Sequence, residues 1–174
     1  RRDEAKNGGK LNRTKAAECV IKNAKSWQPC RDMLHGAWND NAGRQCICDG
    51  YQAYRLREAL PLEPIPEKTE HIDLDRIIDE NCGETLNLPS FAELRAYIKE
   101  EKARKKAAKD KTAPLYNFGD GLPRLNAEFL LTALELLPGC TATASKHSPE
   151  LRAIYFESEA GAGITLPVRK GATV

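Results

Sequence analysis

The sequence predicts an α+β fold made of two helix-plus-antiparallel-sheet repeats with a helical insertion between them. Three observations carry this. Residues 12–26 and 126–137 both place apolar side chains at helical spacing, each is followed by three short strand-like runs, and residues 61–112 interrupt the two repeats with a different composition.

In the first repeat, residues 12–26 set Ala16, Ala17, Val20, Ile21 and Ala24 on one helical face, with Asn12 as N-cap and Pro29 as terminator. Strands are expected at 33–38, 44–48 and 51–57, separated by the turn-forming stretch 39–43 and by Asp49-Gly50. Pro61, Pro64 and Pro66 then break regular structure and mark a boundary. Beyond it lie an acidic stretch, a short strand at 85–88, and the Ser90-x-x-Glu93 capping box of a helix running to about Ala108. Phe91, Leu94, Tyr97 and Ile98 form the apolar stripe of that helix, and its second half is expected to project into solvent. In the second repeat a strand is expected at 115–118. Asn126 caps a helix ended by Pro138-Gly139, whose buried face is Phe129, Leu130, Ala133, Leu134 and Leu137. Strands at 141–145, 152–157 and 163–168 follow, the last placing Ile164, Leu166 and Val168 on one face.

The chain of 174 residues suits one domain with an ordinary core. The expected organisation is a polar tail at 1–10, one domain at 11–170 (first repeat 11–60, insertion 61–112, second repeat 113–170) and a short tail at 171–174. With 41% hydrophobic and 30% charged residues the composition is that of a soluble globular protein, and no apolar run is long enough for a membrane span. No membrane partner is expected. The six cysteines show no C-x-x-C pair, so they read as free thiols of a reducing cytoplasm, which makes the expected location cytoplasmic.

The net charge of +2 does not by itself predict a nucleic-acid partner, but the charge is segregated. Acidic residues dominate 63–84, whereas 95–111 holds eight Lys or Arg against Glu100, Glu101 and Asp110. That basic run reads either as a phosphate-binding surface, as a solvated helix, or as a partner of the acidic stretch. For catalysis there is little: His35, His71 and His147 sit in unlike contexts, and no serine or cysteine lies in a nucleophile signature. The carboxylates of Asp73, Asp75, Asp79 and Glu80 form the nearest thing to a metal cluster, with Asp75 and Asp79 on one helical face, but the spacing is nonspecific. Neither an enzyme nor a cofactor or metal site is expected.

Three stretches resemble the sliding clamp family, the beta subunit of bacterial DNA polymerase III. Residues 31–38 with 46–58 are similar to the front half of a clamp's middle domain, 84–98 to the strand and helix that open a clamp half-domain, and 125–170 to the end of the last domain, including Leu166-Pro167-Val168-Arg169. The resemblance implies the DNA-clamp, or processivity, fold. It also implies a non-catalytic protein that binds double-stranded DNA, replication proteins, or both; the alternative is an interaction module that kept the fold and lost DNA. Carried onto this chain, the basic residues that would face DNA are Arg13, Lys15, Lys22 and Lys25, with Lys102, Lys105 and Lys106 as a second candidate set. The peptide groove would use Tyr51, Leu166, Pro167, Val168 and Arg169. This chain departs from the family at the turn, with Tyr51-Gln52-Ala53 where clamps carry His-Arg-Leu. A clamp has three such domains and this chain has length for one, so encircling DNA would require a homo-oligomer with head-to-tail contacts.

Overall fold

A computed structural model describes residues 11–78 and 82–169. The expected tails at 1–10 and 171–174 lie outside the described residues, as do Asp79 and Glu80. The elements are α1 (Arg13–Trp27), β1 (Trp38–Asn39), β2 (Gln45–Cys48), β3 (Gln52–Leu56), β4 (Cys82–Leu86), α2 (Phe91–Ala107), β5 (Leu115–Asn117), β6 (Arg124–Asn126), α3 (Ala127–Leu136), β7 (Thr141–Ser145), β8 (Ile154–Ser158) and β9 (Gly161–Thr165). Short 3-10 turns occupy Asp32–Leu34 and Leu74–Arg76.

Seven strands form one antiparallel sheet in the order β1-β2-β3-β9-β8-β7-β4, and β5 and β6 pair separately. The fold class is therefore α+β. Its centre is the β3–β9 pair, where Gln52 faces Thr165, Tyr54 faces Gly163 and Leu56 faces Gly161. Gly163 also faces Phe156 across β8. A Cβ on Gly163 would lie 2.6 Å from the Tyr54 ring, so glycine makes room for that aromatic side chain on the neighbouring strand. Gly161, at φ 148, has a second reason to be glycine, because a Cβ there would meet the Arg55 carbonyl oxygen at 2.2 Å.

One face of the sheet is covered by the helices. Val20 and Ile21 of α1 and Leu130, Ala133 and Leu136 of α3 are buried against Ile47, Tyr54, Leu56, Ile154 and Phe156. The five residues read from sequence as the inner stripe of α1 are its five buried residues. Each fully buried Leu, Ile or Phe contributes on the order of 2 kcal/mol relative to exposure. On α3 the buried set is Ala127, Leu130, Ala133 and Leu136; Phe129 and Leu134, expected inside, are only half-buried.

The opposite face of the sheet is covered by the chain that follows β3. Leu74 and Ile78, with Ile65 and Ile72, pack on Cys46, Cys48, Ala53 and Ile164. Burial on both faces explains why all four residues of β2 are buried, with no alternation. The proline-rich stretch is thus a cover as well as a boundary. Its backbone is tied to the sheet margin, where Ala37 N–H donates to the Glu63 carbonyl (2.7 Å) and Ile65 N–H donates to Ala37 (3.0 Å). Arg44 and Arg55 both engage Asp75 from this cover.

Several boundaries differ from the sequence expectation. The strand expected at 33–38 begins only at Trp38: residues 33 and 34 lie in a 3-10 turn, where His35 N–H closes back on the Asp32 carbonyl, and Ala37 pairs with the 63–65 segment. The strand expected at 85–88 is Cys82–Leu86, at the sheet edge on β7. The last strand is Gly161–Thr165 and not 163–168, since its pairing with β3 ends at Gln52↔Thr165. Leu166 consequently does not share the burial of Ile164: it is 45% exposed. The stretch 61–112 contributes β4 to the common sheet, and Leu86, Leu94 and Ile98 to the common core.

The clearance at Gly163 gives a direct test of the central seam. Gly163→Ala is expected to destabilise the chain by about 2 kcal/mol through overpacking. Urea unfolding followed by circular dichroism measures it; a change below about 0.5 kcal/mol would mean that Tyr54 relaxes freely.

Candidate functional site: a groove between the helices and the last segment

The groove is built on the seam. Immediately past the last β3–β9 pair, Leu166 N–H donates to the Tyr51 carbonyl at 2.9 Å, and Val168 N–H then donates to the Arg124 carbonyl at 2.8 Å. These two bonds lay 166–169 along the entrance to α3. The resulting groove has a volume of about 1390 Å³. Tyr51, Leu166, Pro167, Val168 and Arg169, the residues nominated for peptide binding, all line it.

Two helices supply the rest. From α1 and its cap come Asn12, Lys15, Cys19, Asn23 and Trp27, a single stripe at spacings of three and four. From α3 come Glu128, Phe129, Thr132 and Glu135, and α2 adds Phe91 and Arg95. The two main helices are fastened end to end in opposite senses. Asn12 N–H donates to the Glu135 carboxylate (2.8 Å), and Arg13 Nε donates to the Leu136 carbonyl (2.9 Å), where it satisfies one of the open acceptors at the end of α3.

Three aromatic rings meet in the groove. Trp27 lies edge-on to Tyr51 at 5.7 Å, Phe129 is 5.9 Å from Trp27, and Tyr51 stacks on Phe129 at 6.3 Å. Trp27 is 44% exposed and Tyr51 46% exposed. Trp27 and Phe129 escape the sequence reading, which assigned no role to the first and placed the second in the core. The available signal was that Trp27 continues the Asn12, Lys15, Cys19, Asn23 stripe, a face otherwise free of large apolar residues.

Beneath Tyr51 lies a buried polar network. Asp49 is fully buried; one carboxylate oxygen accepts from the amides of Tyr51 (2.8 Å) and Gln52 (2.9 Å), and the other accepts from Gln52 Nε2 (2.9 Å). The Asn23 side chain bonds it too, tying α1 to the turn. Gln52 in turn accepts from the Tyr54 hydroxyl at 2.8 Å. Burial raises the Asp49 pKa against the lowering effect of these hydrogen bonds.

The basic residues nominated for DNA are not brought together as one surface. Arg13 is spent on the end of α3, and Lys25 pairs with Glu63. Lys102 pairs with Glu128, while Lys105, only 13% exposed, is held by Asp110 and Thr112. Hydrogen bonds from Thr112 and Lys105 keep Asp110 well below the usual carboxylate range. Among the described residues, Lys102, Arg104 and Lys105 thus pair with α3 and with their own neighbours, not with the acidic 63–84 stretch. Lys15, Lys22 and Lys106 have no ion pair among the described residues.

Among the described residues no three His, Cys, Asp or Glu are placed to hold a metal ion. The pairing of Asp75 with Asp79 lies partly outside the described residues, and Asp75 itself is engaged by Arg44 and Arg55. Cys46 and Cys48 are buried free thiols, and burial pushes Cys46 up to about 12. Cys19, exposed in the groove, is raised first by burial and then by Glu128. No described helix is long and apolar enough to cross a membrane.

The turn network yields a mutational and a pH prediction. Asp49→Ala leaves buried amides without acceptors and is expected to cost about 3 kcal/mol in urea unfolding. The raised folded-state pKa means that the Asp49 contribution is fully present below the unfolded carboxylate range and declines as pH rises through its folded value. The wild-type minus Asp49→Asn stability difference should therefore change in that direction between acid and neutral pH; a flat difference would show that the hydrogen bonds cancel the burial. No family model matches the chain, and neither a curated protein nor a solved structure matches it.

Proposed function

We propose that this chain is a non-catalytic, sliding-clamp-like protein whose groove captures short apolar peptide segments of replication proteins. The observation that carries this reading is the meeting of Tyr51 and Leu166 through one backbone hydrogen bond, with Trp27 and Phe129 completing an exposed aromatic wall. Large apolar side chains left accessible in a concave site rimmed by polar groups favour peptide capture. The helix-strand-strand-strand order at both ends is the repeated plan that the clamp resemblance implies for one domain. A protein-interaction module that keeps the fold without DNA is the version the charge arrangement favours, since Arg13, Lys25, Lys102 and Lys105 are engaged within the chain. Double-stranded DNA remains the second reading through Lys15, Lys22 and Lys106. It requires copies arranged around the duplex.

Selection of a random-peptide display library against the purified chain is expected to return ligands with large apolar anchors. The Tyr51→Ala, Leu166→Ala double variant should keep its circular dichroism and lie within about 1 kcal/mol of wild-type stability, because both side chains are nearly half exposed, yet lose those ligands. Retention of the ligands would move the site elsewhere. For DNA, Lys15→Glu with Lys22→Glu should abolish binding to a short duplex, and wild-type affinity should fall steeply with salt. Wild-type affinity that does not change with salt would remove the DNA reading.

A further inference from the structure

The groove is unequal in charge. Four cationic side chains line it, Lys15, Arg95, Lys111 and Arg169, against the carboxylates of Glu128 and Glu135. Glu128 is paired with Lys102, while Glu135 accepts from the Asn12 amide and keeps its charge. Lys15, Lys111 and Arg169 carry no ion pair among the described residues, so cationic groups outnumber carboxylates along the groove lining. No acidic residue occupies the first turn of α1, where Lys15 sits. The three cations come from α1, the segment after α2 and the segment after β9, and they line the same groove as the aromatic rings.

We propose that the groove selects acidic peptides: segments whose apolar anchor seats on Trp27, Tyr51 and Phe129 and whose flanks carry Asp or Glu that meet Lys15 and Arg169. This rests on the reading of the groove as a peptide site. The geometry sets a spacing. Lys15 lies twelve residues from Trp27 on α1, about 18 Å along the helix axis, which an extended peptide covers in about five residues. Acidic residues about five positions from the anchor therefore reach the Lys15 end, whereas a lysine there meets a like charge. Electrostatic complementarity of this kind acts chiefly on specificity and association rate.

The test uses fluorescence anisotropy of the full chain with three labelled peptides that share a central Phe pair and differ only at the flanks about five positions away: Asp, Ser or Lys. A single-stranded oligothymidylate is the fourth probe. The Asp peptide is expected to bind about tenfold more tightly than the Ser peptide at low salt, with the Lys peptide weakest and the difference shrinking as salt rises. Lys15→Glu with Arg169→Glu, both exposed, should keep the circular dichroism of the wild type and reverse the order of the Asp and Lys peptides; an unchanged order would overturn the acidic selection. Equal affinity for Asp and Ser peptides would overturn the acidic selection and leave peptide capture standing. Absence of binding by all three peptides would overturn the groove reading with it. Tighter binding of the oligothymidylate than of the Asp peptide would overturn the proposal in favour of a nucleic-acid groove.

Discussion

The antiparallel pairing of β3 with β9 is the constraint on which the remaining structure depends. It joins residues 52–56 to residues 161–165 and so unites β1-β2-β3 with β9-β8-β7-β4 in one sheet. Neither α1 nor α3 could bury its apolar stripe on three short strands alone. On the joined sheet they cover adjacent strips and also cover each other, which is why Val20, Leu130 and Phe156 share one cluster. Such a long-range pairing carries a loop-closure entropy that only the packed core repays. The glycines at 161 and 163 keep that pairing close by allowing Tyr54 and the Arg55 backbone to approach.

The groove inherits its position from the same seam. Where the ladder stops, at Gln52↔Thr165, both chains leave the sheet together, and the Tyr51–Leu166 bond holds them side by side for one more step. Tyr51 is then fixed from below by Asp49, whose carboxylate also reaches Asn23 on α1. A turn that would otherwise be among the least stable parts of the surface is therefore bonded both to a strand and to a helix. That pre-organisation reduces the ordering cost of binding a flexible partner.

Much of this was legible in the residues, and the failures have physical causes. The stripe on α1 was read residue for residue because an amphipathic helix with one buried face obeys a single period. The limits of β9 were misjudged because Ile164, Leu166 and Val168 continue an alternating pattern past the point where the partner strand ends; pairing, not propensity, sets a strand's limits. The cover formed by Ile65, Ile72, Leu74 and Ile78 has no helical or strand period, since it follows the relief of a sheet face, and irregular spacing leaves no pattern to detect. Of the groove, Tyr51 and residues 166–169 came from family resemblance, not from the physical pattern. Phe129 was missed because an apolar aromatic defaults to core unless its surroundings are known, and Trp27 because it lies just past the helix read at 12–26.

Charge tells a similar story in reverse. A run of lysines from 99 to 111 looks in sequence like one electrostatic unit, yet folding divides it: Lys102 turns to Glu128, Arg104 to Glu101, and Lys105 to Asp110 and Thr112. Exposed pairs of this kind contribute little to stability, but they change what the surface offers to a partner. The field that remains comes from cations that form no ion pair among the described residues, and those are scattered in sequence over α1, residue 111 and residue 169 while lining one groove. Local charge density in a sequence is thus a weak guide to the charge presented to a ligand. The converging residues are found only once the β3–β9 seam has brought the two ends of the domain together.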